Sequence, residues 1–299
     1  MEGVRTLTSA ARTHRGILRK APLFLDAIKF HETIFAMPFA YMGMFLAADG
    51  FPGWRIFSLI TLAMVSARTV GMASNQIIDR HIDARNPRSS TRHLPTGRLR
   101  VGDMVALTAA SIAVLMMAAA LLNTLALVLA PVAVAYIVLY PYAKRFTWTA
   151  SLMLGWALAI APSAAWIAVK GSLSLQPVLL SLAVALWAGG FDVLYHTQDR
   201  EFHLREGLNS VAARFGIPAA FRLAQTLDLL AVSSLVALGL WMALDWPFYV
   251  GCAAAVGLLG YRYYLISPAD LSNLGRAFAR INGYMSTTIL AGAVAGIYL

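Results

Sequence analysis

Cysteine and charge are both scarce in this sequence. Cys252 is the only cysteine among 299 residues, so the chain can form neither an intrachain disulfide nor a cysteine-based metal site. Charged residues make up only 13% of the chain, against 59% hydrophobic residues, and the mean hydropathy is +0.67. These values exclude a water-soluble globular protein of ordinary composition. The sequence therefore predicts a protein that resides in a lipid bilayer.

The N-terminal region lacks the pattern of a cleaved signal peptide. Its first 20 residues are polar and basic, and they contain no short apolar stretch followed by a cleavage site of small residues. We therefore expect the region to be retained. The predicted domain organisation is a basic cytoplasmic segment over residues 1–26, followed by a single transmembrane domain over residues 27–299.

Long apolar windows are the dominant feature of the rest of the chain. A window of about 20 residues is the length that an α-helix needs to cross about 30 Å of hydrocarbon. Strands with open edges cannot satisfy their backbone hydrogen bonds in lipid, so the predicted fold is all-α and polytopic, with about nine transmembrane helices. We place the spans near residues 27–48, 54–78, 102–122, 124–142, 149–169, 175–195, 219–241, 246–265 and 276–298.

Lysine and arginine crowd one side of this layout. Because basic loops stay in the cytoplasm, the N-terminus and every second loop are expected to be cytoplasmic, in a cell (inner or plasma) membrane. The opposite loops hold little more than Arg55 and Lys170. The cytoplasmic set comprises Arg5, Arg12, Arg15, Arg19, Lys20, Arg80, Arg85, Arg88, Arg92, Arg98, Arg100, Lys144, Arg145, Arg200, Arg205, Arg214 and Arg276.

The formal net charge of +10 does not require a nucleic-acid partner. The basic residues border apolar spans, so anionic lipid headgroups and an anionic substrate are the expected partners. Topology signalling alone explains most of the basic residues. It does not explain the acidic residues among them.

Two acidic motifs end apolar spans on the predicted cytoplasmic side. Asn75, Asp79 and Asp83 follow one another at steps of four, which places them on one face of a helix. The second motif ends span six and comprises Asp192, Tyr195 and Asp199, whose steps of three and four also keep to one face. Carboxylates near the hydrocarbon boundary are costly unless they are paired or bound to metal. A solvated helix end could explain one such acid, but not four acids in two registered sets.

Oxygen ligands, without cysteine and with no close histidine pair, suit Mg²⁺, which completes its shell with water and phosphate oxygens. Two such clusters imply a diphosphate between them. Arg92, Arg98 and Lys144 are nearby cations able to hold phosphate oxygens. A cytoplasmic diphosphate above an apolar cavity describes an isoprenyl diphosphate lying partly in the membrane.

The segments NQIIDRHIDARNPRSSTRHLPTGRL and GFDVLYHTQDREFHLREGLNSVAARFG closely resemble the two signature regions of the UbiA superfamily of intramembrane prenyltransferases. The first helix of that family is similar to the segment IKFHETIFAMPFAYMG. Its Tyr-x-x-x-Lys element is similar to the segment from Tyr140 to Lys144. The HLPTGR and Asp-x-x-Tyr-x-x-x-Asp forms are most similar to the 4-hydroxybenzoate polyprenyltransferase branch, which includes relatives of menaquinone synthesis.

The resemblance implies a ring of nine helices around a central cavity that opens laterally to lipid, under a cytoplasmic cap. It also implies magnesium-dependent transfer of a prenyl group from an isoprenyl diphosphate to a hydroxybenzoate-like or hydroxynaphthoate-like acceptor in quinone biosynthesis. The resemblance assigns one Mg²⁺ to Asn75, Asp79 and Asp83. It assigns a second Mg²⁺ to Asp192 and Asp199, with Tyr195 beside them. It assigns the diphosphate to Arg92, Tyr140 and Lys144.

One position departs from the family pattern. Four residues past Asp199, where the family often has another Asp, this chain has His203. Neutral imidazole is a poor Mg²⁺ ligand, so the outer ligand of the second metal is in question. The simpler interpretation of His203 is a solvated loop residue.

Asp192 and Arg68 are the candidates for handling the acceptor. Asp192 lies deepest in the second motif and would keep the acceptor deprotonated or oriented, with Tyr195 beside it. Arg68 lies on the face of Asn75 and Asp79 but about two turns deeper than Asn75, where its charge needs an anion such as an acceptor carboxylate. A structural pairing of Arg68 with an Asp or a carbonyl is the alternative.

Two other functional classes are compatible with acids in membrane helices. A secondary transporter or proton-coupled carrier would carry them near the midplane, whereas these acids lie at helix ends beside phosphate-binding cations. A non-catalytic lipid-binding or scaffold protein is the third class, and the intact acidic pairs argue against it.

Overall fold

The computed structural model describes residues 20–276 and 280–299, with the side chains of residues 30–36 and of Arg276 outside that description. The described part is helical and has no strand, apart from one isolated bridge between Ser267 and Asp270. Its α-helices are α1 (Phe30–Ala48), α2 (Trp54–Arg85), α3 (Val101–Leu122), α4 (Thr124–Leu139), α5 (Ala150–Lys170), α6 (Leu175–Tyr195), α7 (Arg200–Glu206), α8 (Val211–Phe215), α9 (Ile217–Trp241), α10 (Trp246–Leu265), α11 (Leu274–Arg276) and α12 (Asn282–Ile297). Two 3₁₀ turns, Tyr140–Arg145 and His196–Asp199, continue α4 and α6.

Six helices in the described residues are long and apolar enough to cross a membrane. They are Trp54–Arg85, Val101–Leu122, Thr124–Arg145, Ala150–Lys170, Leu175–Glu206 and Ile217–Trp241. The three other predicted spans overlap α1, α10 and α12, which do not meet the same criterion over their described residues. The chain is thus an all-helical, multi-pass membrane protein, and nine crossings remain a prediction.

The tight turn between predicted spans three and four consists of a single residue, Asn123. Its side chain accepts a hydrogen bond from the Ala126 amide at 2.9 Å, which caps the start of α4. Its Nδ2 donates to the carbonyl oxygens of Ile167 and Ala168 at 2.8 and 3.2 Å. Asn123 therefore supplies the polar contacts that a membrane-level reversal of the chain requires.

Helix α6 is the most buried of the six candidate membrane spans. In its most apolar stretch, 72% of residues are buried, against 17% in α3 and in α4. It packs mainly against α5 and α9. A Cβ built on Gly155 of α5 would collide with the Ala185 carbonyl oxygen, so α5 and α6 touch backbone to backbone. Such close approach supplies van der Waals contact, which drives helix association in lipid.

The connections at the two ends of the bundle differ in size. At one end they are short, over residues 49–53, 123, 171–174 and 242–245. At the other end they comprise residues 86–100, both 3₁₀ turns and helices α7 and α8, which together form a cap. Helix α2, with 32 residues, is about 48 Å long. Because this exceeds the hydrocarbon thickness, the last turns of α2 extend into the cap.

Part of the predicted N-terminal segment can be located in the cap. Residues 20–27 are helical, and Lys20 forms an ion pair of 2.7 Å with Asp103 at the start of α3. His93 contacts Asp26 at 2.7 Å. The other basic residues predicted for this segment, in positions 1–19, lie outside the described residues, as does the side chain of Arg276.

Candidate active site

A polar cavity of about 200 Å³ lies beneath the cap. All ten residues that the sequence assigned to a site line it: Arg68, Asn75, Asp79, Asp83, Arg92, Tyr140, Lys144, Asp192, Tyr195 and Asp199. They come from α2, the loop after α2, the turn after α4, and α6 with its following turn. The structure thus brings together residues separated by more than 100 positions in the sequence.

Asp79 is the most deeply buried acid of the first motif, with 1% of its surface exposed. Its Oδ2 accepts a hydrogen bond from Lys144 Nζ at 2.5 Å, and its Oδ1 lies 3.2 Å from Arg145 Nη2. Asn75 Nδ2 donates to the same carboxylate at 3.3 Å. Two cations on the first 3₁₀ turn therefore neutralise this carboxylate.

Asp83, one helical turn further along α2, has its own cation. Arg92 Nη1 lies 2.7 Å from Asp83 Oδ2. Arg92 belongs to the loop of residues 86–100, which folds back over the end of α2. This return brings a basic loop over the acidic end of α2.

Asp199 in the second motif is held by Arg88 through two hydrogen bonds. Arg88 Nε donates to Oδ1 at 3.0 Å and Nη2 to Oδ2 at 2.5 Å, while Asn86 Nδ2 donates to Oδ1 at 3.1 Å. Arg88 also donates to Tyr195 Oη at 2.6 Å and stacks on that ring. Burial opposes the charge of Arg88, but the hydrogen bonds to Asp199 and Tyr195 outweigh it and raise the pKa of this guanidinium.

Asp192 is paired with a histidine. His196 Nδ1 lies 3.1 Å from Asp192 Oδ2 and 3.0 Å from the Asp192 carbonyl oxygen. His203 is buried, with 4% exposure, and lines the same cavity. The interpretation of His203 as a solvated loop residue is therefore wrong, because α7, as part of the cap, presents this side chain to the cavity.

The expectation that the site has no close histidine pair is also wrong. The rings of His196 and His203 lie 5.6 Å apart between centroids. These residues are seven positions apart, and the spacing of a 3₁₀ turn followed by a helical turn brings them to one face. The residues around Asp199 thus include nitrogen as well as oxygen donors.

A second, larger cavity of about 590 Å³ lies on the membrane side of the polar one. Its walls come from α1 to α6 and are almost entirely apolar; 12 of its 35 lining residues are alanines. Five residues line both cavities and mark the junction: Arg68, Met72, Tyr140, Leu158 and Trp187. A molecule with an anionic head and a long apolar tail would fit across this junction.

Sequence reasoning missed several cavity residues. Arg88, Asn86 and His196 line the polar cavity, and Arg145 contacts Asp79 from beside it. Arg88 was available as one of many loop arginines, but no spacing distinguished it. Arg98, which was grouped with the phosphate-binding cations, is exposed and does not line the cavity, because residues 97–99 turn away toward the start of α3.

The donor set of the first motif fits Mg²⁺. Asn75, Asp79 and Asp83 present three oxygen-bearing side chains to one cavity, and Mg²⁺ takes carboxylate oxygens with water and phosphate completing its shell. The second motif fits less well, since two imidazoles lie next to Asp199. Each acid in both motifs already has a basic partner from the protein, which compensates its burial.

Known proteins resemble the chain over most of its length. The UbiA prenyltransferase family matches residues 36–285. The chain belongs to this family. It is accordingly a prenyltransferase, as the acidic motifs predict, and the resemblance read from the two signature segments is confirmed.

Relatives of this family are similar in both sequence and structure. The 4-hydroxybenzoate octaprenyltransferase of Vibrio cholerae is 31% identical over 255 residues, covering 85% of this chain and 89% of that protein. The enzyme of the same description from Cupriavidus necator is 31% identical over 253 residues, covering 83% and 87%.

Solved structures carry the same fold. The apo structure of a UbiA homologue from Aeropyrum pernix superposes with a TM-score of 0.81 at 32% identity, covering 89% of this chain and 98% of that one. A UbiA homologue from Archaeoglobus fulgidus bound to GPP and Mg²⁺ has a TM-score of 0.70 at 20% identity, covering 93% and 100%. At that identity the second likeness concerns the fold alone.

Proposed function

We propose that this UbiA-family enzyme transfers a prenyl group from an isoprenyl diphosphate to the ring of a hydroxybenzoate-like acid in quinone biosynthesis, with Mg²⁺ bound at the first acidic motif. The observation that carries this proposal is the junction of the two cavities. It joins a polar chamber lined by four acids and several cations to an apolar chamber large enough for a hydrocarbon chain. The names of the relatives, which act on 4-hydroxybenzoate, support the choice of acceptor class.

The diphosphate of the donor would lie in the polar cavity. Lys144, Arg92 and Arg88 each hold a motif carboxylate there, at 2.5 to 2.7 Å. Because a cation can share its donors between a carboxylate and a phosphate, these side chains are placed to turn from the acids to the diphosphate as it enters. The acids would then be released to bind metal ions.

Mg²⁺, when bound by Asn75, Asp79 and Asp83, would supply positive charge that stabilises the departing diphosphate. The protein's cations supply the rest of that charge. The bond between C1 of the prenyl group and the diphosphate oxygen breaks, and its electron pair stays on the diphosphate. A ring carbon ortho to the phenol then bonds to C1, and the ring loses its proton at that carbon.

Asp192 is the proposed base for the acceptor. Its carboxylate lines the polar cavity and accepts from His196, which orients it and stabilises its charge. Tyr195 lies beside it and is fixed by the hydrogen bond from Arg88. Arg68 at the junction would bind the acceptor's carboxylate, which would place the ring between the donor's C1 and Asp192.

The membrane arrangement follows the same proposal. We place nine helices around the central cavity, with the N-terminus and the cap on the cytoplasmic side of the cell (inner or plasma) membrane. The basic residues of the cap, on the side of the acidic motifs, support that orientation. Leu129, Val132 and Trp156 line the apolar cavity and are 39 to 66% exposed, which supports a lateral opening toward lipid.

The test is a prenyl-transfer assay with purified protein, Mg²⁺, geranyl diphosphate and a panel of phenolic acids. We expect a C-prenylated hydroxybenzoate or hydroxynaphthoate, and we expect EDTA to abolish its formation. Consumption of neither substrate with any acceptor would refute the proposal. Vesicle uptake of a solute without prenyl transfer would favour the transporter class.

A further inference from the structure

Three metal-binding side chains cluster beside the second acidic motif. His196 and Asp199 begin and end the second 3₁₀ turn, and His203 follows on α7. One ligand atom from each lies within 4.8 Å of the other two. In the described residues, this is the one group of three or more histidine, cysteine or acidic side chains with such spacing. Asp199 and His203 are buried, and His196 is partly buried.

Hydrogen bonds within the protein orient the imidazole ring of His196 for metal binding. Its Nδ1 faces two acceptors, Asp192 Oδ2 at 3.1 Å and the Asp192 carbonyl oxygen at 3.0 Å. Two acceptors at one nitrogen hold a proton on Nδ1, and in the neutral ring Nε2 is then the nitrogen with a lone pair. A carboxylate that accepts from one ring nitrogen while the other binds metal is a recurrent arrangement in metalloproteins.

His203 is held in a comparable way. Its Nδ1 lies 3.1 Å from Ser210 Oγ, which also accepts from the Ala213 amide as the N-cap of α8. In the tautomer that donates from Nδ1 to this oxygen, Nε2 of His203 is the nitrogen with a lone pair. Both imidazoles are therefore anchored through Nδ1, and each has Nε2 available as a ligand.

This donor set differs from the one that Mg²⁺ prefers. Mg²⁺ takes oxygen ligands in octahedral geometry, whereas imidazole suits zinc and its neighbours in the first transition row. Two histidines and one carboxylate, with a fourth position open to water or substrate, form a known type of catalytic zinc site. His203 stands where the family pattern often has an aspartate, so the second site of this chain has a nitrogen ligand in place of an oxygen ligand.

We propose that His196, Asp199 and His203 bind a first-row transition-metal cation such as Zn²⁺, while Asn75, Asp79 and Asp83 take Mg²⁺. The ligand atoms must draw together slightly, since ligands of a tetrahedral site lie closer than 4.8 Å. Arg88 stays able to hydrogen-bond Asp199, because Oδ2 accepts from Arg88 Nη2 and has a second lone pair for the metal, while Oδ1 accepts from Arg88 Nε and Asn86 Nδ2. The enzyme would then use two different metals, one at each motif.

The place of this site in the reaction rests on the proposed function, but its metal binding is measured without substrate, so the two can fail separately. The experiment uses the full chain in detergent, purified with a histidine-free affinity tag and stripped with a chelator. Co²⁺, a spectroscopic substitute for Zn²⁺, is titrated in the presence of excess Mg²⁺, and visible d–d absorption is recorded. Zn²⁺ is then added, and bound metal is counted by mass spectrometry.

We expect one Co²⁺ per chain, with a visible band that Zn²⁺ removes and excess Mg²⁺ does not. His203→Ala and His196→Ala should each weaken Co²⁺ binding by about 100-fold, since each removes one of three protein ligands. His81→Ala is the matched control, because His81 is exposed on α2 and outside the cluster, and it should bind as the parent does. His203→Asn keeps more of the side-chain volume, and it replaces His203→Ala if that variant shows a lowered melting temperature.

His203→Asp separates the two metals further. We expect it to lower Zn²⁺ affinity, while prenyl transfer at limiting Mg²⁺ stays equal or rises, because a hard oxygen ligand returns to the site. Co²⁺ binding that is absent from the parent, displaced by Mg²⁺ at equal concentration, or unchanged in both His203→Ala and His203→Asn would overturn the proposal.

Discussion

Replacing Arg68 with methionine should weaken binding of the acceptor and leave binding of the prenyl donor unchanged. Arg68 lies at the junction of the two cavities, and it precedes Asp79 by 11 residues on the same helix. That separation is about 16 Å along the helix axis, which places Arg68 about three turns further from the cap than Asp79. Methionine keeps much of the arginine's length and apolar bulk, so the wall of the cavity is preserved.

The size of the effect follows from the interaction that is lost. A hydrogen bond involving a charged group contributes about 1.5–3 kcal/mol, and 1.4 kcal/mol is about tenfold in binding. We therefore expect the acceptor KM to rise by about 10- to 100-fold, with kcat and the donor KM nearly unchanged. That pattern is the signature of lost ground-state binding of one substrate.

The assay is steady-state transfer from geranyl diphosphate to 4-hydroxybenzoate, repeated with an uncharged phenol of similar size. The KM for the uncharged phenol should differ little between Arg68→Met and the parent. Arg80→Met is the control on the same helix, since Arg80 lines neither cavity and donates to the Ile77 carbonyl oxygen. An increase in the donor KM alone, or equal losses with acid and phenol, would show that Arg68 does not bind the acceptor's carboxylate.

Four further substitutions test the site. Asp79→Asn and Asp199→Asn should each lower kcat by about 100-fold or more, because each removes a charged ligand of the metal at its own motif while nearly keeping its shape. Arg88→Lys should raise the donor KM by about tenfold, because a lysine cannot form the bidentate contact to Asp199 and also donate to Tyr195. Ala63→Phe should shorten the longest prenyl chain accepted, because Ala63 lines the apolar cavity five residues beyond Arg68; competition between geranyl and longer donors measures this.

Each of these changes has a control of the same chemical type outside the cavities. Asp103→Asn alters a surface acid paired with Lys20, and Arg85→Lys alters an exposed pair with Glu206 at 2.8 Å. Leu62→Phe adds bulk at an exposed position next to Ala63. Equal losses in the controls would point to general destabilisation, and wild-type turnover in Asp79→Asn would contradict the metal assignment.

The positions of the acidic motifs could be predicted because they depend on local geometry. Helical periodicity alone places Asn75, Asp79 and Asp83 on one face, and α2 does continue through them to Arg85. The same reasoning placed Asp192 and Tyr195 at the end of α6. Here the register changes into a 3₁₀ turn at His196, yet Asp199 still reaches the cavity.

The cation partners could not be predicted because they depend on the path of the cap. Arg88 reaches Asp199 across 111 residues of sequence, and no periodicity relates them. Arg98 resembles Arg92 in sequence context, but the chain turns between them and leaves Arg98 exposed. His203 was assigned to solvent because a short polar segment usually lies at the surface, whereas α7 buries it against Ser210.

The alanine-rich wall of the apolar cavity bears on how the product leaves. Alanine has no side-chain rotamers to freeze, so such a wall accommodates a hydrocarbon chain without ordering cost on the protein's part. Moving a chain from lipid into this cavity exchanges one apolar surrounding for another, and therefore gains little of the roughly 0.8 kcal/mol per CH₂ that transfer from water provides. Retention of the donor then depends on its diphosphate. Once that group has departed, the prenylated product has no remaining anchor of similar strength, and the bilayer competes for its tail on equal terms.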